Sequence, residues 1–565
     1  MIKKIVLACF LFCSVVVLHA QGRTVNVRDF GAIANDGKDD TKALRKAALF
    51  CQANPGTTLI FSPGVYQLKD DEAVELEQKT MRGEFGENPE LEIYTPYYPY
   101  SKGMDFTGSK DITIEADNAT LLCEGWMEPI SIIGSSNFSV KGLTIDYKRK
   151  PFSHGEIINI ENDFFDVQFS SERIITEQMP MMRMTLWNKK ENRMYPDPLY
   201  YPRKTILGNN IVRFHNHIPE DLKGANAGIL HCFHFRPAIL ILESENTHIE
   251  GVTIHSQAGM GIVGFDSKDI LIKGLRVVPA PGYYISTNTD ATHFACCQGL
   301  IRFEGCVFQG QGDDATNVHG YYQSIVSSEG RKAVLKVKAG TYTHAQVLDA
   351  PRVGDELELV EIRTLKPVRT YKVVTVVPDE KEFTSTVELS DTLPVNFASY
   401  YLMNCSKLPR LEFENSFINS HLARGILVKT RNVLINNNVF RNGTGTAIHI
   451  GAEANWHEGT HSKNVVVTNN VMIGCGKGGG SQGGASGIAV IIEAEDTRST
   501  YLHENIKIEN NTIVGENNDC GIYIGNARNV VLRNNSVSNC KQDVKIHSST
   551  GISLTDYFNT TYENE

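Results

Sequence analysis

VKGLTI at residues 140–145, IEGVTI at 249–254, IKGLRV at 272–277 and FEGCVF at 303–308 are copies of one motif. FENSFI at 413–418, INNNVF at 435–440, VTNNVM at 467–472, IENNTI at 508–513 and LRNNSV at 532–537 continue it. The third position of each copy is Gly142, Gly251, Gly274, Gly305, Asn415, Asn437, Asn469, Asn510 or Asn534. Gly and Asn share tolerance of the left-handed backbone region, Gly because it lacks a Cβ and Asn because its side chain bonds locally. A left-handed corner therefore recurs. The intervals 251 to 274, 415 to 437 and 510 to 534 are 22 to 24 residues, with β-branched residues on both sides and no helical period between. This predicts an all-β chain wound as a right-handed parallel β-helix. Each coil then buries its apolar face only against its neighbours, and side chains of successive coils can stack on one outer face. A groove along that face suits a sugar chain.

The longer intervals locate interruptions. Gly142 to Gly251 is 109 residues and Gly305 to Asn415 is 110, each one coil plus an excess of about 86 residues, the size of a small domain. Two inserted antiparallel β-domains, barrel-like and small, are expected at 150–235 and 322–405. Their DFFDVQFSS, RMTLWN, AVLKVKAG, DELELVEI and TYKVVTVV stretches alternate apolar and polar residues between turns. The β-helix then falls into an N-terminal part at 21–149, a central part at 236–321 and a C-terminal part at 406–565.

The first twenty residues, MIKKIVLACFLFCSVVVLHA, read as an export signal: two lysines, an apolar run, then His19 and Ala20 before Gln21. Cys9 and Cys13 raise a lipoprotein alternative, but Cys9 leaves too short an apolar core and Phe12 is bulky before Cys13. Cleavage near Ala20 and export to the periplasm or surface of a Gram-negative bacterium are expected. No later stretch reaches membrane-spanning length. The formal net charge is −10, and −12 without Lys3 and Lys4. An acidic chain disfavours nucleic acid, whose binding is driven by basic residues displacing counterions. The remaining cysteines, Cys296 and Cys297 among them, lack metal-ligand spacing and read as small buried apolar residues.

After the leader, a strand and a Gly-Asp turn lead to Asp39, Asp40 and Thr41, expected to cap an amphipathic helix that covers the open end of the stack. The block TVNVRDFGAIANDGKDDTKALRKAALF resembles the amino-terminal segment of the polygalacturonase and pectate lyase superfamily, which bears on fold and not on activity.

Chemistry concentrates in Asn288-Thr289-Asp290, Gly310-Gln311-Gly312-Asp313-Asp314 and Asn317-Val318-His319-Gly320. If PAPGYYIS holds the extra residues of its coil, Asp290 and the Asp313-Asp314 pair fall in register on neighbouring coils, about 4.8 Å apart. Carboxylates so placed repel, which raises the pKa of at least one of them. An acid together with one or two bases is what glycoside hydrolysis requires; turn formation would leave a third Asp in coil register unexplained, and calcium would want more oxygen ligands nearby. Arg424 lies nine residues after its corner, the offset of Asp314 from Gly305, and so belongs beside the acidic patch. His319, Lys429 and Glu453 are further candidates for substrate contact. Trp456, on the loop expected to carry Glu453, His457 and Glu458, is read as a stacking platform for a sugar face. GCGKGGGSQGGASG at 474–487 lacks the Lys-Ser/Thr and helix of a phosphate cradle and reads as a loop near the groove.

NTD, then GDD, then His-Gly, then Arg with a downstream Lys resembles the polygalacturonase clan, although Val318 replaces the first Gly of its Gly-His-Gly and its compact Arg-Ile-Lys is stretched to Arg424 through Lys429. Over its whole length the chain is similar to glycoside hydrolase family 110, exported bacterial α-1,3-galactosidases. That resemblance implies an exo-acting, inverting enzyme that removes terminal α-1,3-linked galactose from branched blood group B-type and linear glycans. It implies Asp313 as general acid and Asp290 with Asp314 as bases, with no metal or organic cofactor. The implied partner is a glycan, with neither nucleic acid nor a membrane span; a homodimer is left open. A galacturonan hydrolase and a non-catalytic glycan-binding β-helix are the alternatives.

Overall fold

The computed structural model of the protein describes residues 22–170, 174–337, 343–498, 500–555 and 560–563. The expected leader lies outside them. Three parallel ladders run the length of a β-helix. The first is a sheet of thirteen strands from Arg23–Asn26 to Thr550–Leu554. The second follows each corner, as in Thr144–Tyr147, Thr253–Ile254, Arg276–Val277 and Val307–Gln309. The third includes Ile262–Phe265, Thr292–Ala295, the start of Thr316–Glu329, Ile426–Val428, Ile448–Glu453 and Ala485–Glu493. All nine corner residues of the motif have φ between 53° and 72°, so the Gly-or-Asn restriction is a backbone requirement.

Alternation along the strands fills the interior. Phe294, Val318, Val428 and Ile450 are equivalent in register and all belong to one continuous core with Cys123, Cys297, Cys306 and Cys475. The residue after each Asn corner adds a buried polar row. Asn438 Nδ2 donates to Asn470 Oδ1 at 2.9 Å, Asn470 to Asn511 at 3.0 Å and Asn511 to Asn535 at 2.9 Å. Breaking such a row strands buried amides, so Asn470→Ala should cost about 1–3 kcal/mol, read as a lowered denaturant midpoint. An unchanged midpoint would show that the row contributes nothing. A second stack of left-handed residues, at Asn137, Asn246, Asn432, Asn464 and Asn505, stands at the start of the first ladder's strands and had no counterpart in the sequence reading.

The helix Thr41–Ala53 lies at the amino-terminal end, beside the strands of the first coils. Its capping differs from expectation. The Asp40 carboxylate accepts from Ile33 N at 2.9 Å and Gln67 N at 3.0 Å, while Asp39 takes the Thr41 N–H at 3.0 Å. Asp40 is drawn away because it ties the loop at Ile33 to the strand Gly64–Lys69.

Two segments leave the coils. Strands from Phe152–Ile160 to Asn226–Leu230 form an eight-stranded antiparallel sheet with its own core of Ile157, Phe165, Val167, Met184 and Phe214. The second begins inside one strand: Thr316–Glu329 pairs in parallel with Ile426–Val428, then runs on to pair antiparallel with Tyr400–Asn404. Leu335, Leu357, Tyr371, Val387 and Leu402 fill its core. Lys407 anchors this segment, 3.1 Å from both Asp266 and Asp349. Among the described residues no helix is long and apolar enough to cross a membrane.

Candidate active site

The third ladder carries the chemistry at its leading edge. Ala291 N donates to Asp314 O and Ala315 N to Arg424 O, which puts Asp290, Asp314 and Arg424 at the same place on three successive coils. Residues 278–285, holding most of PAPGYYIS, loop out between Val277 and Ser286, so the coil keeps its register. Asp290, Asp313 and Asp314 each bring a carboxylate oxygen within 4.8 Å of the others. They line a cavity of about 510 Å³ together with Arg183, His234, His293, His344 and Trp456.

The three aspartates have different surroundings. Asp314 is buried and bound on one edge by Arg424, whose backbone N lies 2.7 Å and Nη2 3.1 Å from it. Burial pushes its carboxyl up to about 7 against the opposing Arg424 guanidinium, and the Asp313 charge adds to the rise. Asp290 is also buried, its Oδ2 2.7 Å from His293 Nδ1; burial, then the charges of Asp314 and Asp313, hold it well above the usual carboxylate range. Asp313 is 36% exposed, with Arg183 Nη1 at 3.9 Å. Arg183 is itself clamped, its Nη2 donating to Asn288 O at 2.9 Å and to Gly312 O. Gly312 is obligatory here, since a Cβ would stand 2.2 Å from Asn288 O.

A carboxyl whose pKa is higher folded than unfolded stabilises the fold below its unfolded value, about 3.9, and loses that contribution as pH rises through the folded value. Asp314 therefore costs stability between about 4 and 7. Unfolding free energy in that window should fall more steeply with pH for the wild type than for Asp314→Asn. Denaturation at a series of pH values reads this, and parallel slopes would refute it.

The remaining candidates divide. Arg424, Glu453 and Trp456 line the cavity, and Trp456 is 64% exposed. His319 and Lys429, each 0% exposed, do not line it. They point outward from the ladder but are covered by Glu458 and, for His319, by His344 of the second insertion. Lys429 is bound by the Glu453 and Glu458 carboxylates, so neither side chain reaches the cavity. Glu453, expected on a loop, ends the strand Ile448–Glu453, where Lys429 and Arg424 hold it in place. Gly479 and Gly480 of the glycine-rich stretch form part of the wall.

The sequence reading missed Arg183, Pro196, Asp197, Pro198 and Tyr200 of the first insertion, and His344 of the second. Nothing in their spacing relates them to a coil. It also missed His293, although a titratable group three residues from Asp290 was a usable signal.

No family model matches the chain. It is 26% identical over 566 residues to an alpha-1,3-galactosidase A of Bacteroides fragilis, spanning 94% of this chain and 89% of that protein. Along nearly its whole length the chain resembles bacterial α-1,3-galactosidases. An alpha-1,3-galactosidase B of Bacteroides thetaiotaomicron is 24% identical over 501 residues, 83% of this chain and 78% of its own length. Among solved structures, an exopolygalacturonase of Thermotoga maritima covers 95% of this chain and 93% of its own, at 11% identity and a TM-score of 0.48. The likeness to the galactosidases reaches well beyond the aspartate motif and takes in both insertions.

Proposed function

We propose that the protein is an exo-acting α-1,3-galactosidase that releases terminal galactose with inversion, from branched blood group B-type and from linear α-1,3-galactosyl glycans. The observation that carries the reading is the convergence of Asp290, Asp313 and Asp314 from two neighbouring coils in one cavity. Whole-length similarity to proteins of that name supports the choice of sugar and linkage. The cavity volume, about 510 Å³, suits a small ligand, and walls from both insertions favour a chain end over a chain passing through. Trp456 offers an apolar platform for one sugar face.

Asp313, open to the cavity, protonates the glycosidic oxygen as the bond to the anomeric carbon breaks. Asp290 and Asp314 take the proton of the water that attacks that carbon from the opposite side. Arg424 keeps Asp314 oriented, and His293 does so for Asp290.

One observation favours a second reading. The oxygens lie within 4.8 Å, nearer the roughly 5–5.5 Å carboxyl separation of retaining glycosidases than the roughly 6.5–9.5 Å of most inverting ones. Inversion at this spacing requires the water to be gripped between Asp290 and Asp314. Proton NMR of the first minutes of hydrolysis separates the two: β-galactose is expected, and initial α-galactose would mean a covalent intermediate on Asp290 or Asp314. The same reaction, run on linear and branched oligosaccharides, tests the substrate range.

A further inference from the structure

Behind Asp290 stand three histidines, of which the hydrolysis gives a task to His293 alone. His293 and His319 come from adjacent strands of the third ladder, His344 from the second insertion, and Glu458 from the segment after Trp456. One donor atom from each lies within 4.8 Å of all the others. His293 and His319 are 2% and 0% exposed at their side chains, Glu458 8% and His344 20%.

The second nitrogen of each imidazole is already engaged. His319 Nδ1 lies 3.0 Å from Gly320 O, which can only accept, so it carries the hydrogen and leaves Nε2 as a bare lone pair. His293 Nδ1 faces the Asp290 carboxylate at 2.7 Å, and His344 Nδ1 faces Tyr94 Oη at 3.3 Å. His293 Nε2 points at His319 Nε2 across 2.7 Å. A proton on one of these nitrogens bridges them as they stand, and a metal ion held by both would open the pair toward the roughly 3.3 Å of tetrahedral ligands. His319 Nε2 and His344 Nε2 are each 3.7 Å from Glu458 Oε1, too far for hydrogen bonds and close to the roughly 3.3 Å between ligand atoms around a tetrahedral ion with bonds of about 2.0 Å. Glu458 Oε2 is occupied by Asn317 and Lys429, which leaves Oε1 turned to the histidines. Three imidazoles, each held at its far nitrogen by a carboxylate, carbonyl or hydroxyl, form the usual surround of a metal centre. Charge agrees: six carboxylates line the cavity, Asp197, Asp290, Asp313, Asp314, Glu453 and Glu458, against Arg183 and Arg424, with Lys429 behind.

We propose that His293, His319, His344 and Glu458 bind a divalent transition-metal ion of the zinc class, which pins the second insertion to the coil stack and fixes the His293 ring against Asp290. Nitrogen-rich ligation selects zinc or cobalt over calcium or magnesium. His293, His344 and Glu458 line the cavity, so the ion has an entry path. The ion would sit behind Asp290 in the wall of the same cavity, and its binding is tested without reference to which substrate is cleaved.

The full chain, freed of any tag and stripped with a chelator, is titrated with Zn²⁺ and with Co²⁺. One ion per chain is expected by elemental analysis and calorimetry, with a raised melting temperature and visible cobalt absorption of a low-coordinate nitrogen site. His344→Ala, on the cavity wall, should abolish stoichiometric binding without endangering the strands. Asp290→Asn should weaken it about 10–100-fold as the partner of a ligand, and Asp313→Asn should leave it intact. Loss of binding in Asp313→Asn instead would put the ion among the aspartates and overturn the assignment. Failure of the wild type to take up either metal would overturn it too, leaving a protonated Asp290 hydrogen-bonded through His293 to His319.

Discussion

Asp313→Asn lowers turnover on an α-1,3-galactosyl oligosaccharide by about 10²- to 10⁴-fold, the usual contribution of general acid catalysis, and changes substrate affinity far less. The amide keeps the side chain's size and part of its hydrogen bonding but has no proton to deliver. A nitrophenyl galactoside has a leaving group that departs without protonation, so Asp313→Asn should recover much of its rate on that substrate. Asp290→Asn and Asp314→Asn should not, because water must still be activated. Steady-state kinetics of the three variants on both substrates decide the roles. Rescue of Asp290→Asn or Asp314→Asn would exchange acid and base, a result for which their upward-shifted carboxyls already provide a physical basis. Activity within a few-fold of wild type in all three would mean that the aspartates are structural and the catalytic groups lie elsewhere, whereas binding without turnover in the wild type would make the protein a glycan binder.

Lys429→Met destabilises the fold by about 3–5 kcal/mol, the cost of removing one partner from a buried ion cluster. Lys429 is 0% exposed and serves both Glu453 and Glu458, themselves 1% and 6% exposed. Methionine fills the volume but leaves two carboxylates in a dry site with Arg424, 3.6 Å from Glu453, as the remaining guanidinium and with Asn317 and the buried histidines His319 and His344 beside Glu458. Although burial opposes ionisation, Lys429 and then Arg424 hold Glu453 down at about 2. A depressed carboxylate stabilises the fold above its unfolded pKa of about 4.3 and loses that contribution as pH falls. The wild type therefore surrenders this advantage in acid, and the gap between wild type and Lys429→Met should narrow below about pH 4. Denaturant midpoints at neutral and acidic pH measure it. A small gap, or one that does not change with pH, would mean that the cluster is solvated.

Much of this protein is legible from single residues and counting. A left-handed φ admits few residue types, so each corner declares itself as Gly or Asn, and the spacing of corners fixes coil length. Because a coil has constant length between insertions, an offset from a corner is a coordinate, and that is why Asp290, Asp314 and Arg424 could be aligned without a structure. The buried row Asn438, Asn470, Asn511 and Asn535 repeats at the same offset and was equally open to reading. What the coordinates decided is the third dimension of the site. Arg183 and His344 arrive on separately folded insertions, whose docking depends on contacts between residues more than a hundred positions apart in the case of Arg183 and Gly312. His319 and Lys429 point outward by strand alternation, as counting says. Whether outward means exposed depends on what packs above, and Glu458 and His344 close over them. Periodicity determines which way a side chain faces, whereas burial, and with it the charge a group carries, is settled only when distant segments meet.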